Sequence, residues 1–140
     1  MSNHLHTTNY YNTFIEVAED CPTETGTEPL IRRGKMTIAN YQYNLIKAHP
    51  YVYTSDDIFF KVYAIRKDLT EAELESEREK YFSKGQACFR ASPLTKKYGW
   101  GVHSNEDGKV SIYACESVEY QQFLENPDIK KIKAMRSKRK

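Results

Sequence analysis

Two strand-like runs, WGVHS at residues 100–104 and KVSIYAC at 109–115, flank the tetrapeptide NEDG, and one way of joining them keeps their faces distinct. Reading Glu106, Asp107 and Gly108 as a three-residue loop places Gly108 where a left-handed backbone is needed. That choice sets Ser104 opposite Val110 and Val102 opposite Ile112. Trp100, Val102, Val110, Ile112 and Ala114 then share an apolar face, while Gly101, His103, Ser111 and Tyr113 share the other. A slip of one residue would mix the two sets, so the register is specified by the pattern itself. A chain carrying this hairpin must cover its apolar face, which directs the fold toward helices packed on a sheet.

The remaining elements follow from the same kind of reading. NTFIEVAED alternates as a first strand, with Thr13, Ile15 and Val17 on one side and Phe14, Glu16 and Ala18 on the other. Residues 19–36 hold prolines and glycines without periodicity and form the one long loop. A helix is expected from Thr37, with Ile38, Tyr41 and Leu45 on one face and Pro50 preventing its continuation. The β-branched and aromatic run DDIFFKVYAIR reads as a central strand covered on both sides. Thr70 and Glu73 form a T-x-x-E capping box, with Leu69 and Leu74 as its hydrophobic staple. That helix should show Leu74, Arg78, Tyr81 and Phe82 on one face, carry Glu75–Arg78 and Glu77–Lys80 pairs, and stop by Gly85. ACFRA reads as a short strand. Ser92 then caps a short helix with Pro93 at its first position, ended by Gly99. Ser117 caps a helix bearing Tyr120, Phe123 and Leu124. Asp128 caps a last, basic helix with Ile129, Ile132 and Met135 as its stripe, and residues 136–140 fray. The expected class is α+β: a single domain over 1–140, with helices on a largely antiparallel sheet of about four or five strands.

Apolar residues at 39% are too many for a disordered chain, and 140 residues suffice for a core without metal or disulfide staples. The apolar runs are too short to cross a bilayer, so no membrane association is expected. The N-terminus has neither the basic start nor the apolar core of a secretory signal, which makes the cytoplasm the default location. Cys21, Cys88 and Cys115 are odd in number and widely spaced, as expected of reduced thiols. They contain no C-x-x-C. His4-x-His6 lies at a terminus, and Asp56 and Asp57 read better as a turn or cap than as ligands, so neither a metal nor a cofactor is expected. Charge is uneven: residues 129–140 hold seven of the 21 basic residues and none of the 19 acidic ones, which leaves residues 1–128 at a net −5.

The stretches HTTNYYNTFIEVAEDCP, YTSDD and RASPLTKKYGWGVHSNEDGKVSIY, with the closing KAMRSKR, resemble a family of short bacterial proteins known as a domain of unknown function. The likeness extends over nearly the whole chain. It implies a bacterial, cytosolic protein and carries with it no activity and no catalytic residue.

Three functional readings follow from the residues. The first is a non-catalytic binding module for an anionic small molecule or a partner protein. Its candidate ligand-binding residues are Arg90, Ser92, Lys96 and Lys97, where a helix start and three cations lie close together, with Trp100 and the many tyrosines nearby. The second is a small enzyme in which His103, opposite Ser111 and diagonal to Tyr113, moves a proton while Arg90 holds an anion. No nucleophile elbow, H-E-x-x-H helix or Walker loop accompanies it. The third is a nucleic-acid contact through the basic C-terminal helix, against which stand a helix end complementing its own dipole or a tail lying on the acidic body. Nucleic acid is the less favoured partner because no aromatic-basic platform accompanies the tail. Exposed strand edges and abundant tyrosines also admit a homodimer.

Overall fold

A computed structural model of the protein describes residues 5–138; His4 of the His4-x-His6 pair and the last two residues of the basic tail lie outside the described residues. The hairpin forms in the expected register. β2 (Trp100–Ser104) and β3 (Val110–Ala114) pair with Ser104 opposite Val110, Val102 opposite Ile112 and His103 opposite Ser111. Gly108 takes the left-handed turn position at φ +79°. β1 (Thr13–Glu16) adds antiparallel to β2, and β4 (Lys130–Lys133) adds parallel to β1, giving the order β3-β2-β1-β4. The class is α+β, with a mostly antiparallel mixed sheet of four strands.

The two faces of this sheet serve different cores. Ile15, Val102, Val110 and Ile112 join Ile46 of α1 (Ile38–Ala48), Ile58 and Val62 of α2 (Ser55–Arg66) and Leu94 of α4 (Pro93–Lys96) in the main core. On the reverse face α5 (Val118–Glu125) covers Phe14, whose ring meets Tyr120 edge-on and stacks on Phe123, each at 4.9 Å. Glycine is required at Gly101 because a β-carbon there would lie 2.5 Å from Phe14 and 2.6 Å from Tyr120. α3 (Glu71–Phe82) packs outside α2 through Phe60, Ala64 and Phe82. Its start is as expected: the Glu73 carboxylate accepts from the Thr70 backbone N–H and hydroxyl, and Leu69 and Leu74 pack beside it. Glu77 pairs with Lys80 at 3.3 Å, whereas Arg78 reaches Asp57 of α2 at 3.0 Å instead of Glu75.

Four local expectations are corrected. DDIFFKVYAIR is helix α2, not a central strand. Thr54 and Asp57 make a reciprocal capping box at its start, and a continuous apolar run does not separate a buried strand from a buried helix by periodicity. Both sides are apolar because Ile58 and Val62 face the main core while Phe60 and Ala64, one helical turn apart, face α3. ACFRA is a 3₁₀ turn at Phe89–Ala91 rather than a strand; its buried Phe89 anchors it to the core. The last apolar stripe does not make a helix. Residues Lys130–Lys133 are an edge strand, tied to β1 by Lys130 N–H to Asn12 O and Ala134 N–H to Glu16 O. Ile129 then packs under α5 while Ile132 meets the main core, the opposite-face placement that a spacing of three gives a strand. Finally, α1 begins at its Thr37 cap and packs Tyr41 and Leu45 against the core as expected, but its most buried residues are Ala39, Asn40, Gln42 and Ile46 and Ile38 is exposed, because it packs on α2 as well as on the sheet.

Candidate functional site

Of the residues considered for proton transfer, the fold brings His103 and Tyr113 together through a third, Tyr51. The Tyr51 hydroxyl lies 2.7 Å from His103 Nδ1 and 2.8 Å from the Tyr113 hydroxyl. Tyr51 reaches them from beyond β3: its N–H donates to Val110 O, Tyr53 O accepts from Val110 N–H, and Tyr51 itself holds a left-handed φ of +58°. That conformation costs about 1–3 kcal/mol in a residue with a β-carbon, and the two strand-like bonds keep it in place. The imidazole stacks on Phe123 at 4.3 Å, and its Nε2 is buried without a partner. Burial accordingly holds the His103 pKa below its usual value, and burial followed by the Tyr113 hydrogen bond pushes Tyr51 far up. Ser111 is buried directly across from His103. Arg90 is not in this cluster; its Nε donates to the Lys133 carbonyl on β4, at the opposite edge of the sheet.

The Ser-Pro start of α4 points inward. Ser92 is 3% exposed, accepts from Leu94 N–H and donates its hydroxyl to Gln42 Oε1 at 2.6 Å. Its capping oxygen and hydroxyl proton are therefore both committed within the protein. Lys96 is half-buried nearby, while Lys97 lies on a separate surface pocket. Trp100 is buried, with its indole N–H donated to Thr27 O of the long loop. The four residues Arg90, Ser92, Lys96 and Lys97 thus do not converge on one point.

Lys97 instead meets three cations that sequence reading did not single out. A pocket of about 420 Å³ is lined by Arg32, Lys35, Arg66 and Lys97, with no carboxylate on its walls. Two of them come from a tight turn in the long loop: Arg32 and Lys35 exchange both backbone hydrogen bonds around Arg33 (φ +52°) and Gly34 (φ +72°). Positive φ at both central residues defines a type I′ turn, the geometry that projects its flanking side chains together. Arg66 arrives from the last turn of α2. The pocket floor includes Thr37, Ile38 and Ala39, the start of α1, whose first turn contains no acidic residue. None of the four cations has an ion-pair partner among the described residues. The only sequence signal for this gathering was IRRGK, a turn-forming glycine among cations, and only the fold brings it to Arg66 and Lys97. A wider cleft of about 720 Å³ between α2 and α3 is less suited to a charged ligand, since its walls carry both signs and its Arg78 and Asp57 neutralise each other.

Among the described residues no group of three or more His, Cys, Asp or Glu is placed to hold a metal ion, and no helix is long and apolar enough to cross a membrane. Asp56 and Asp57 both do structural duty: Asp56 accepts from Thr7 and Thr8, tying the N-terminal segment to α2, and Asp57 caps that helix. The basic tail leans on the acidic body, where Asp20 accepts from the Ser137 and Lys138 N–H groups. These backbone donors hold the Asp20 carboxyl below its usual pKa.

Fold and pocket together describe a small α+β domain with a cation-lined surface site. Residues 5–140 match a family of unknown function, DUF6157, and the chain belongs to it. No curated protein and no solved structure matches it.

Proposed function

We propose that this protein is a small binding module, without chemistry of its own, that holds a small anionic molecule in the pocket formed by Arg32, Lys35, Arg66 and Lys97. The observation that carries this reading is the convergence of four unpaired cations, from three separate segments, on one concavity free of carboxylates. Solvated lysines scattered over a surface would be unremarkable. Here the surrounding chain is acidic, at −5 over residues 1–128, so a wall of cations without one acid runs against the background. The N-terminus of α1, although capped by Thr37 and Asn40, adds a favourable dipole worth about 0.3–1 kcal/mol to an anion, and each charge-assisted hydrogen bond adds about 1.5–3 kcal/mol. The resemblance to short bacterial proteins and three unpaired, half-buried cysteines support a bacterial cytoplasm as its setting.

A thermal-shift titration with phosphate, pyrophosphate and citrate tests the reading. A ligand present at a hundredfold excess over its Kd stabilises the folded state by about 2.7 kcal/mol. Stabilisation by at least one of these anions, abolished in Lys35→Ala/Lys97→Ala, is the expected result. No stabilisation by any of them, or stabilisation that survives in the double variant, overturns it.

The nucleic-acid reading loses the helix on which it was built, since Lys130, Lys131 and Lys133 lie on an edge strand. Lysines on such an edge discourage pairing with another chain's strand.

A further inference from the structure

A second, smaller pocket of about 220 Å³ adjoins the cationic one, and the two share Ile38 and Arg66. Its character is different. It lies between α1 and α2, with aromatic walls from Phe59, Tyr63 and Tyr81, and Arg66 is its only charged residue. Two amides line it. Gln42 is 1% exposed, and its Oε1 accepts from the Ser92 hydroxyl, which fixes the amide's orientation. Gln86 donates its Nε2 to Tyr81 O at 2.7 Å, which leaves its Oε1 without a donor.

Resting on the anion-binding reading above, we infer that the two pockets form one site for a nucleotide, with the phosphate among Arg32, Lys35, Arg66 and Lys97 and the base in the aromatic pocket. The chemistry is complementary on both sides of Arg66. Aromatic walls accept a flat ring, the Gln86 amide oxygen can accept from the polar edge of a heterocycle, and the cations take the charge that such a ring carries when phosphorylated. Together the two volumes fall in the range of roughly 300–1,000 Å³ typical of small-molecule sites. Neither an inorganic anion nor an uncharged ring would use the whole site.

Isothermal titration of the full chain with AMP, GMP, CMP and UMP, with the matching nucleosides, and with inorganic phosphate separates the two claims. At least one nucleotide should bind ten-fold or more tightly than inorganic phosphate and than its own nucleoside. Ala87 is exposed on the rim of the aromatic pocket, so Ala87→Phe fills that pocket without entering the core. It should reduce nucleotide affinity to the level of phosphate and leave phosphate binding unchanged. Gln86→Ala, which removes the free acceptor without adding bulk, should weaken the preferred nucleotide and spare phosphate. Phosphate binding as tightly as every nucleotide, or a nucleotide preference untouched in both variants, overturns the composite site while the anion reading stands. Absence of binding by phosphate and nucleotides alike overturns the composite site, and overturns the anion reading as well when pyrophosphate and citrate also fail to stabilise the protein.

Discussion

The protein holds two clusters rich in reactive side chains, and they are built in opposite ways. Around His103 the polar groups face one another under α5: Tyr51 bridges the imidazole and Tyr113, and Phe123 covers the ring. Around Lys97 the four charged groups face outward, toward a space that none of them fills and without counter-ions among the described residues. Groups that bond to each other in the interior stabilise the fold, whereas like charges gathered at the surface contribute nothing to it and stay available for a ligand. Variants in the first cluster should therefore change stability, and variants in the second should change binding.

The largest separation is expected from Phe14→Ala. Phe14 is fully buried between Tyr120 and Phe123, and its loss should cost about 3–5 kcal/mol in urea unfolding while folded protein keeps its anion affinity. Loss of binding by the folded fraction would show that the two regions are coupled. Next is Tyr51→Phe, which strips the hydroxyl from between His103 and Tyr113 and leaves buried polar atoms unmatched. A loss of about 1–3 kcal/mol is expected, again with binding unchanged.

A pH series addresses the same cluster. Burial lowers the His103 pKa in the folded state, so the unfolded chain takes up the proton first as pH falls. Stability from this group is complete above the unfolded histidine value of about 6.5 and declines below it, down to the folded value. Urea midpoints measured from pH 8 to pH 5 should fall less steeply for His103→Gln than for the parent chain. Equal slopes would mean that His103 is not held neutral by its surroundings. The smallest change in stability is expected from Lys35→Ala/Lys97→Ala, within about 0.5 kcal/mol, because neither side chain bonds to the protein through its charge. A marked loss of stability there would erase the contrast between the regions.

How far each region was legible beforehand differs for the same reason. The face shared by His103, Ser111 and Tyr113 followed from strand alternation and one turn glycine, both local signals. Tyr51 escaped because it enters from a different connection and in a left-handed conformation that tyrosine seldom adopts. Arg90, Ser92, Lys96 and Lys97 formed a group only by adjacency in the chain. In the fold Ser92 turns inward to Gln42 and Arg90 to Lys133, and Lys97 alone reaches the cationic pocket. The misread segments share a cause. The α2 run and the Ile129–Met135 stripe are apolar patterns compatible with either helix or strand, and what decided them was which partner offered backbone bonds and apolar surface.

By itself the sequence determined the hairpin and its register, the helix start at Thr37, the caps at Thr70, Ser92 and Ser117, and the α+β class, because each rests mainly on interactions among residues a few positions apart. Only the tertiary structure decided that residues 55–66 coil between two cores, that the C-terminal segment closes the sheet beside β1, and that Arg32, Lys35, Arg66 and Lys97 meet. Those outcomes depend on contacts between distant segments, whose geometry no local pattern encodes.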